Sequence, residues 1–259
     1  LRVSKPGENL YLKCLIYGPS GHGKTTFVAT AQLDPRTKPA LFIDFEGGEA
    51  SLAGLDIDMT TIRSWPDYDE VYNELVSGKS KYKTVIVDSI SETHIFALLD
   101  MLDKEAANRS DPDQLEQRDY GRVTIQMRRL LRGFRDLPMH VFFTALPKDW
   151  TEPRVGTIKK PALSGQLSDE LVGMMGTSAY LALTSDEDTG EEKRALLLKN
   201  MAKFRVKTRT PWGATGIPDF IEEEEPREFA ERGVTILLDA LQFKGSGASK
   251  PVAKEKKRK

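Results

Sequence analysis

Apolar residues along this chain fall into short, dense runs at residues 12–17, 40–44, 84–88 and 140–145, with a weaker one at 60–63. Runs of this length, rich in β-branched and aromatic side chains, predict strands buried on both faces. Between them the spacing changes to that of helices. Residues 25–33 and 67–77 are helix-compatible, the second opening on Asp67. Residues 92–108 place Ile95, Leu98, Leu99 and Leu102 on one stripe. Residues 119–135 turn Val123, Met127, Leu130, Leu131 and Phe134 inward and leave Arg128, Arg129, Arg132 and Arg135 on other faces. Further on, residues 179–184 and 194–199 read as a strand pair joined by a polar turn containing Asp188, Thr189 and Gly190, and residues 234–243 as a last helix. This alternation predicts an α/β fold with a mostly parallel central sheet flanked by helices.

Two polar connections are longer than the few residues that usually join elements. One covers residues 108–118; the other, 146–166, carries Lys148, Trp150, Arg154, Lys159 and Lys160. A Gly/Ser and then Lys-rich stretch closes the chain, so the expected organisation is one domain over 1–243 and a disordered basic tail over 244–259. With 39% hydrophobic and 30% charged residues the composition is that of a globular domain. No apolar run approaches the ~20 residues of a membrane span and no secretory signal opens the chain. Cys14 is the one cysteine, which excludes an internal disulfide and suits a reducing cytosol. The expected location is therefore cytoplasmic. Leu1 in place of Met suggests a trimmed N-terminus or a missing upstream segment. The net charge of -1 hides an acidic block at 222–225 and the basic tail, so it argues neither for nor against nucleic acid.

The candidate chemistry begins at Gly18-Pro19-Ser20-Gly21-His22-Gly23-Lys24-Thr25, which fits G-x-x-x-x-G-K-[ST]. A strand runs into it and a helix follows, the context in which this pattern cradles phosphate. Glycines let backbone N–H groups line an anion-sized nest. Lys24 can reach the β- and γ-phosphates, and the Thr25 hydroxyl can ligate Mg²⁺. Residues 18–26, Thr26 included, are the expected nucleotide contacts, with ATP and Mg²⁺ as cofactors. His22 reads as a variable position of the loop. Asp88 ends the run Thr84-Val85-Ile86-Val87, where a strand-edge carboxylate can hold the same metal or instead cap the next helix. Glu46, just past the strand 40–44, is the candidate general base, with Asp44 and Glu49 competing for the role; alternatively this acidic cluster merely caps the turn at Gly47-Gly48. Thr144 ends another strand, where its hydroxyl can sense the γ-phosphate or be satisfied locally. Lys199, Lys203 and Arg205 follow a late strand. Such cations can act in a neighbour's site or form a solvated basic turn.

In their order, Phe42-Ile43-Asp44-Phe45-Glu46, Ser64-Trp65-Pro66-Asp67, Val85-Ile86-Val87-Asp88-Ser89 and Val141-Phe142-Phe143-Thr144 resemble the core of RecA-type recombinases. The Asp-Phe-Glu-Gly-Gly variant and the compact size are similar to phage-encoded RecA-like ATPases, among them single-strand annealing proteins of the Sak group. The resemblance covers about residues 10–221. It implies that Glu46 activates water, that Asp88 is the Walker B acid, and that Lys203 and Arg205 act in trans. It further implies DNA-binding loops at 146–166 and near 108–118; in the first, Lys148, Arg154, Lys159 and Lys160 can contact phosphates, and Trp150 can stack a base or serve as a packing anchor. The implied function is ATP hydrolysis, stimulated by DNA, during phage-type recombination or strand annealing in the cytoplasm of an infected bacterium. The implied partners are single-stranded DNA, further copies in a ring or filament, and a single-strand-binding protein. This chain departs from RecA at Thr144-Ala145, where RecA has Asn-Gln, and no adenine-contacting Asp and Tyr follow Glu46. A regulatory switch that binds a protein partner, and a ring-type DNA motor, remain as alternative readings.

Overall fold

The computed structural model describes residues 10–108, 111, 114–185, 190, 192–199, 201–209 and 215–243. The tail over 244–259, Asp188 and Thr189 of the late turn, and part of the connection 108–118 lie outside the described residues.

In chain order the elements are β1 (Lys13–Tyr17), α1 (Lys24–Ala29), β2 (Ala40–Asp44), β3 (Asp58–Thr61), α2 (Trp65–Val76), β4 (Thr84–Asp88), α3 (Ile90–Glu105), α4 (Gln117–Asp136), β5 (His140–Ala145), β6 (Pro147–Glu152), β7 (Gly156–Pro161), α5 (Leu167–Met174), β8 (Thr177–Ser185), β9 (Glu192–Leu197), β10 (Lys207–Thr208), β11 (Phe220–Glu222) and α6 (Glu228–Ala240). Among the described residues, nine strands form one sheet in the order β11-β9-β8-β1-β5-β4-β2-β3, with β10 paired to β8. From β8 to β3 every pairing in that path is parallel, while β9, β10 and β11 add antiparallel pairs at the other side.

Period-two alternation sorts each central strand between two cores. Leu15, Tyr17, Ile43, Val85, Val87, Val141 and Phe143 face α2, α3, α4 and α5. Cys14, Ile16, Phe42, Ile86 and Phe142 face α1 and α6. This double burial is why the strands read as continuous apolar runs. Burial also pushes the Cys14 thiol far above its usual pKa, consistent with a small core residue.

Several boundaries depart from the pattern. Helix α2 starts at Trp65: Ser64 is its N-cap, and Asp67 closes a capping box from the third position. Helix α3 starts at Ile90 and buries Ile90, Thr93, His94 and Ala97, one face at helical spacing. The expected stripe is thus turned outward at Ile95 and Leu99, 47% and 53% exposed. The third strand is Asp58–Thr61, and α6 begins at Glu228, six residues before the apolar pattern becomes regular. Residues 146–166 contain an antiparallel hairpin, β6 with β7, and α5 follows where no helix is expected. The hairpin has its own two-stranded sheet, and its polar alternation hides it from hydrophobic periodicity.

Candidate functional site

The topology gathers the chemistry at one edge of the sheet. Strands β1, β2, β4 and β5 run parallel, so the turns after all four share their C-terminal edge. β5 separates β1 from β4, and this leaves room between the glycine loop and Asp88.

The loop is held by close approach. Gly18 donates its N–H to the Ala145 carbonyl at 3.2 Å. A Cβ on Gly18 would collide with the Leu181 carbonyl oxygen. Gly23 lies at φ 88°, a left-handed conformation that favours glycine, immediately before α1. Lys24 is buried and its Nζ donates to the Pro19 carbonyl oxygen at 2.9 Å, so the ammonium curls back over the loop. Burial lowers its pKa, opposed by the nearby negative charges of Glu46 and Asp88. That opposition places the exposed Glu46 within electrostatic reach of both residues.

Asp88 is 1% exposed. Its two oxygens accept from hydroxyls: Thr25 at 2.7 Å on Oδ2, and Thr144 on Oδ1. Desolvation raises its pKa, opposed by those two hydrogen bonds. A buried carboxylate answered by hydroxyls rather than by a hydrogen-bonded basic side chain is an oxygen donor set suited to a hard divalent cation. The residues therefore fit Mg²⁺ on Thr25 and Asp88. Helix capping belongs to the neighbour instead: Ser89 accepts from the Glu92 N–H at 3.3 Å. The Thr144 hydroxyl is satisfied by the Asp88 side chain rather than by backbone.

The three acids at the end of β2 and just past it differ in their surroundings. Asp44 is buried, and its Oδ1 accepts the N–H groups of Glu46, Gly47 and Gly48 at 3.0, 2.9 and 3.3 Å. It builds the turn that carries Glu46 at the sheet edge. Glu49 sits exposed in a short 3₁₀ turn, Glu49–Leu52.

The hairpin β6–β7 rises beside this site. Leu146, at its root, donates its N–H to the Ser91 hydroxyl at 3.0 Å, and Tyr17 of β1 donates to the carbonyls of Lys159 and Arg205, both at 3.1 Å. Most of its expected DNA contacts are already engaged. Lys159 pairs with Asp149 at 2.8 Å. Lys160 is buried, pairs with Glu152 and Asp169, both at 2.9 Å, and lies 5.4 Å from the centre of the Trp150 ring. Lys148 and Arg154 are exposed and make no ion pair among the described residues. Arg205 is tied to Glu152 at 2.5 Å and Asp169 at 3.3 Å, while Lys203 is exposed and Lys199 pairs with Asp219.

One contact was invisible to motif reading. Arg194, in β9, donates from Nε to the His22 carbonyl at 3.1 Å, inside the glycine loop. A basic residue in a late strand gives no local signal of this.

The fold and this site define a P-loop nucleotide-binding protein. A family model described as AAA domain matches residues 10–210, and the chain belongs to that family. Solved structures to which the chain is similar include a KaiC-like protein of the archaeon Pyrococcus horikoshii OT3, 17% identical over 73% of this chain and 78% of that one, with a TM-score of 0.39. The flagellar accessory protein FlaH of Methanocaldococcus jannaschii is 13% identical over 74% and 80%, TM-score 0.37. The RadB recombinase is 19% identical over 73% and 81%, TM-score 0.40. No curated protein matches the chain. No helix among the described residues is long and apolar enough to cross a membrane.

Proposed function

We propose that the chain binds ATP with Mg²⁺, hydrolyses it, and uses the nucleotide state to alter how the β6–β7 hairpin engages single-stranded DNA, as in phage-type recombination or annealing. The observation that carries the ATPase reading is the convergence of Lys24, Thr25 and Asp88 with the Asp44-built turn of Glu46. Bound Mg²⁺ would neutralise charge on the phosphates. Thr25 and Asp88 hold it; the loop amides and Lys24 hold the phosphates; Glu46 orients water for in-line attack. Lys24 must leave the Pro19 carbonyl to do so, a change that links loop occupancy to loop shape. The Ser91–Leu146 and Tyr17–Lys159 bonds supply a physical route from the sheet edge to the hairpin. Lys203 and Arg205 act on a neighbouring copy in a ring or filament; Arg205 must first exchange its partners Glu152 and Asp169. A single-strand-binding protein of the bacterial cytoplasm is the further partner in this reading.

A second reading has its own support. Acidic partners neutralise Lys159 and Lys160, which favours a nucleotide switch that presents the hairpin to a protein rather than to DNA.

Hydrolysis measured with and without a single-stranded oligonucleotide separates them. Lys24→Ala is expected to lose nucleotide binding. Glu46→Gln is expected to bind normally and to turn over roughly 10²- to 10⁴-fold more slowly. Normal turnover by Glu46→Gln removes the base assignment. Oligonucleotide-independent hydrolysis, with no salt-dependent oligonucleotide binding, selects the switch.

A further inference from the structure

Arg194 bonds to a backbone carbonyl of the phosphate loop from a strand two places away in the sheet. Its Nη1 reaches Glu223 Oε2 at 3.2 Å, and its own backbone N–H donates to the same oxygen at 3.2 Å. The Glu223 side chain is only 4% exposed, against 33% for Arg194. The other oxygen of Glu223 accepts the Phe229 N–H of α6 at 3.0 Å. Phe229 then packs edge-on against Phe27 of α1, ring centroids 5.3 Å apart. The contacts form a closed circuit around the start of α1: loop carbonyl, Arg194, Glu223, α6, α1.

The peptide plane gives the circuit its meaning. The carbonyl of His22 and the N–H of Gly23 belong to one planar trans unit and point in opposite directions. A donor that holds the His22 oxygen on the β9 side therefore turns the Gly23 N–H the other way, away from β9. Gly23 is the residue at which this peptide is free to rotate, because it has no Cβ and lies at positive φ. A Cβ there would lie 3.2 Å from Arg194 Nε, so the guanidinium packs directly against it. Without the guanidinium, nothing among the described contacts of the His22 carbonyl opposes a flip that would aim the oxygen at the anion.

We infer that Arg194 is a positioning residue for phosphate binding: it fixes the His22–Gly23 peptide so that the loop presents N–H groups, and Glu223 fixes Arg194. This rests on the nucleotide reading of the loop and adds a residue that the motif does not contain. The interaction serves bound phosphates before and during reaction alike, so it affects affinity more than turnover.

The test measures Mg·ADP affinity by calorimetry, and KM and kcat for Mg·ATP, in native protein, Arg194→Gln, Arg194→Lys and Glu223→Gln. Arg194→Gln is expected to weaken Mg·ADP about tenfold or more, to raise KM similarly and to change kcat less than threefold, because uniform binding is what is lost. Arg194→Lys, which keeps a donor, is expected to recover part of the affinity. The Gly23 amide resonance should move on Mg·ADP addition in native protein and much less in Arg194→Gln. Native affinity in folded Arg194→Gln, alongside lost binding in Lys24→Ala, overturns the inference and leaves the nucleotide site standing. Affinity loss that disappears well below the unfolding temperature marks a merely structural role and also overturns it. Absence of Mg·ADP binding to native protein overturns both.

Discussion

Single residues here show how burial changes what a side chain means. His140 is 1% exposed at the start of β5, and its Nδ1 accepts the Leu12 N–H at 3.0 Å. That acceptor role requires the neutral ring. Desolvation, helped by the charges of Lys13 and Lys83, lowers its pKa from 6.5 to about 4. Between those values the unfolded chain takes up a proton that the folded chain refuses, so stability rises with pH. The contribution is complete above pH 6.5 and is lost as pH falls toward 4. At roughly 1.4 kcal/mol per unit it amounts to about 3 kcal/mol. Urea unfolding at pH 4.5 and 7 should show this loss in native protein and a smaller one in His140→Asn; equal losses would remove the assignment. Asp44 and Glu46 teach a related lesson. Two acids two residues apart are equivalent as letters, yet one is buried under three N–H groups and the other is free at the sheet edge.

Elements meet through positions that composition does not rank. Gly233 of α6 and Gly133 of α4 both stand where a Cβ would touch an aromatic ring. At Gly233 the added carbon would lie 2.5 Å from Phe27, a ring that is itself 1% exposed and locked against Phe229. At Gly133 it would meet the hydroxyl end of Tyr72, which is only half-buried and can move outward. Gly233→Ala is expected to destabilise by about 1–3 kcal/mol through overpacking. Gly133→Ala should be near neutral or stabilising, since alanine favours helix by about 1 kcal/mol. Thermal or urea unfolding decides, and the reverse ranking would refute the packing argument. The same logic explains α3. Its phase is set by the Ser89 cap and by the burial of Ile90, Thr93, His94 and Ala97, not by its largest apolar residues.

For the molecule as a whole, the charge left free on the hairpin decides what can bind it. Lys148 and Arg154 are its exposed cations, whereas Lys159 and Lys160 hold the hairpin to its own acids. If DNA binds here, Lys148→Ala with Arg154→Ala should lower the dependence of log affinity on log salt by about 1.4 for single strands. Lys160→Ala should instead lower stability, because it leaves Glu152 and Asp169 without that partner. Fluorescence anisotropy at several salt concentrations reads the first, and an unchanged slope counts against DNA on this surface.

Local chemistry was legible because it is local. Doubly buried strands must be apolar throughout, and a phosphate loop must have glycines and Lys-Thr at fixed spacing, so the sheet core, residues 18–26 and Asp88 are written in consecutive letters. The hairpin, the phase of α3 and the start of α6 were not, because polar alternation and caps carry weak hydrophobic signals. Which of Asp44 and Glu46 is free follows from a local turn, in which Asp44 takes the N–H groups two to four residues ahead; tertiary structure alone decided that Thr144 meets Asp88 and that Arg194 and Glu223 close on the loop. Those contacts join residues as far as 172 positions apart, and no periodicity within one segment encodes a partner brought in by the stacking of distant strands.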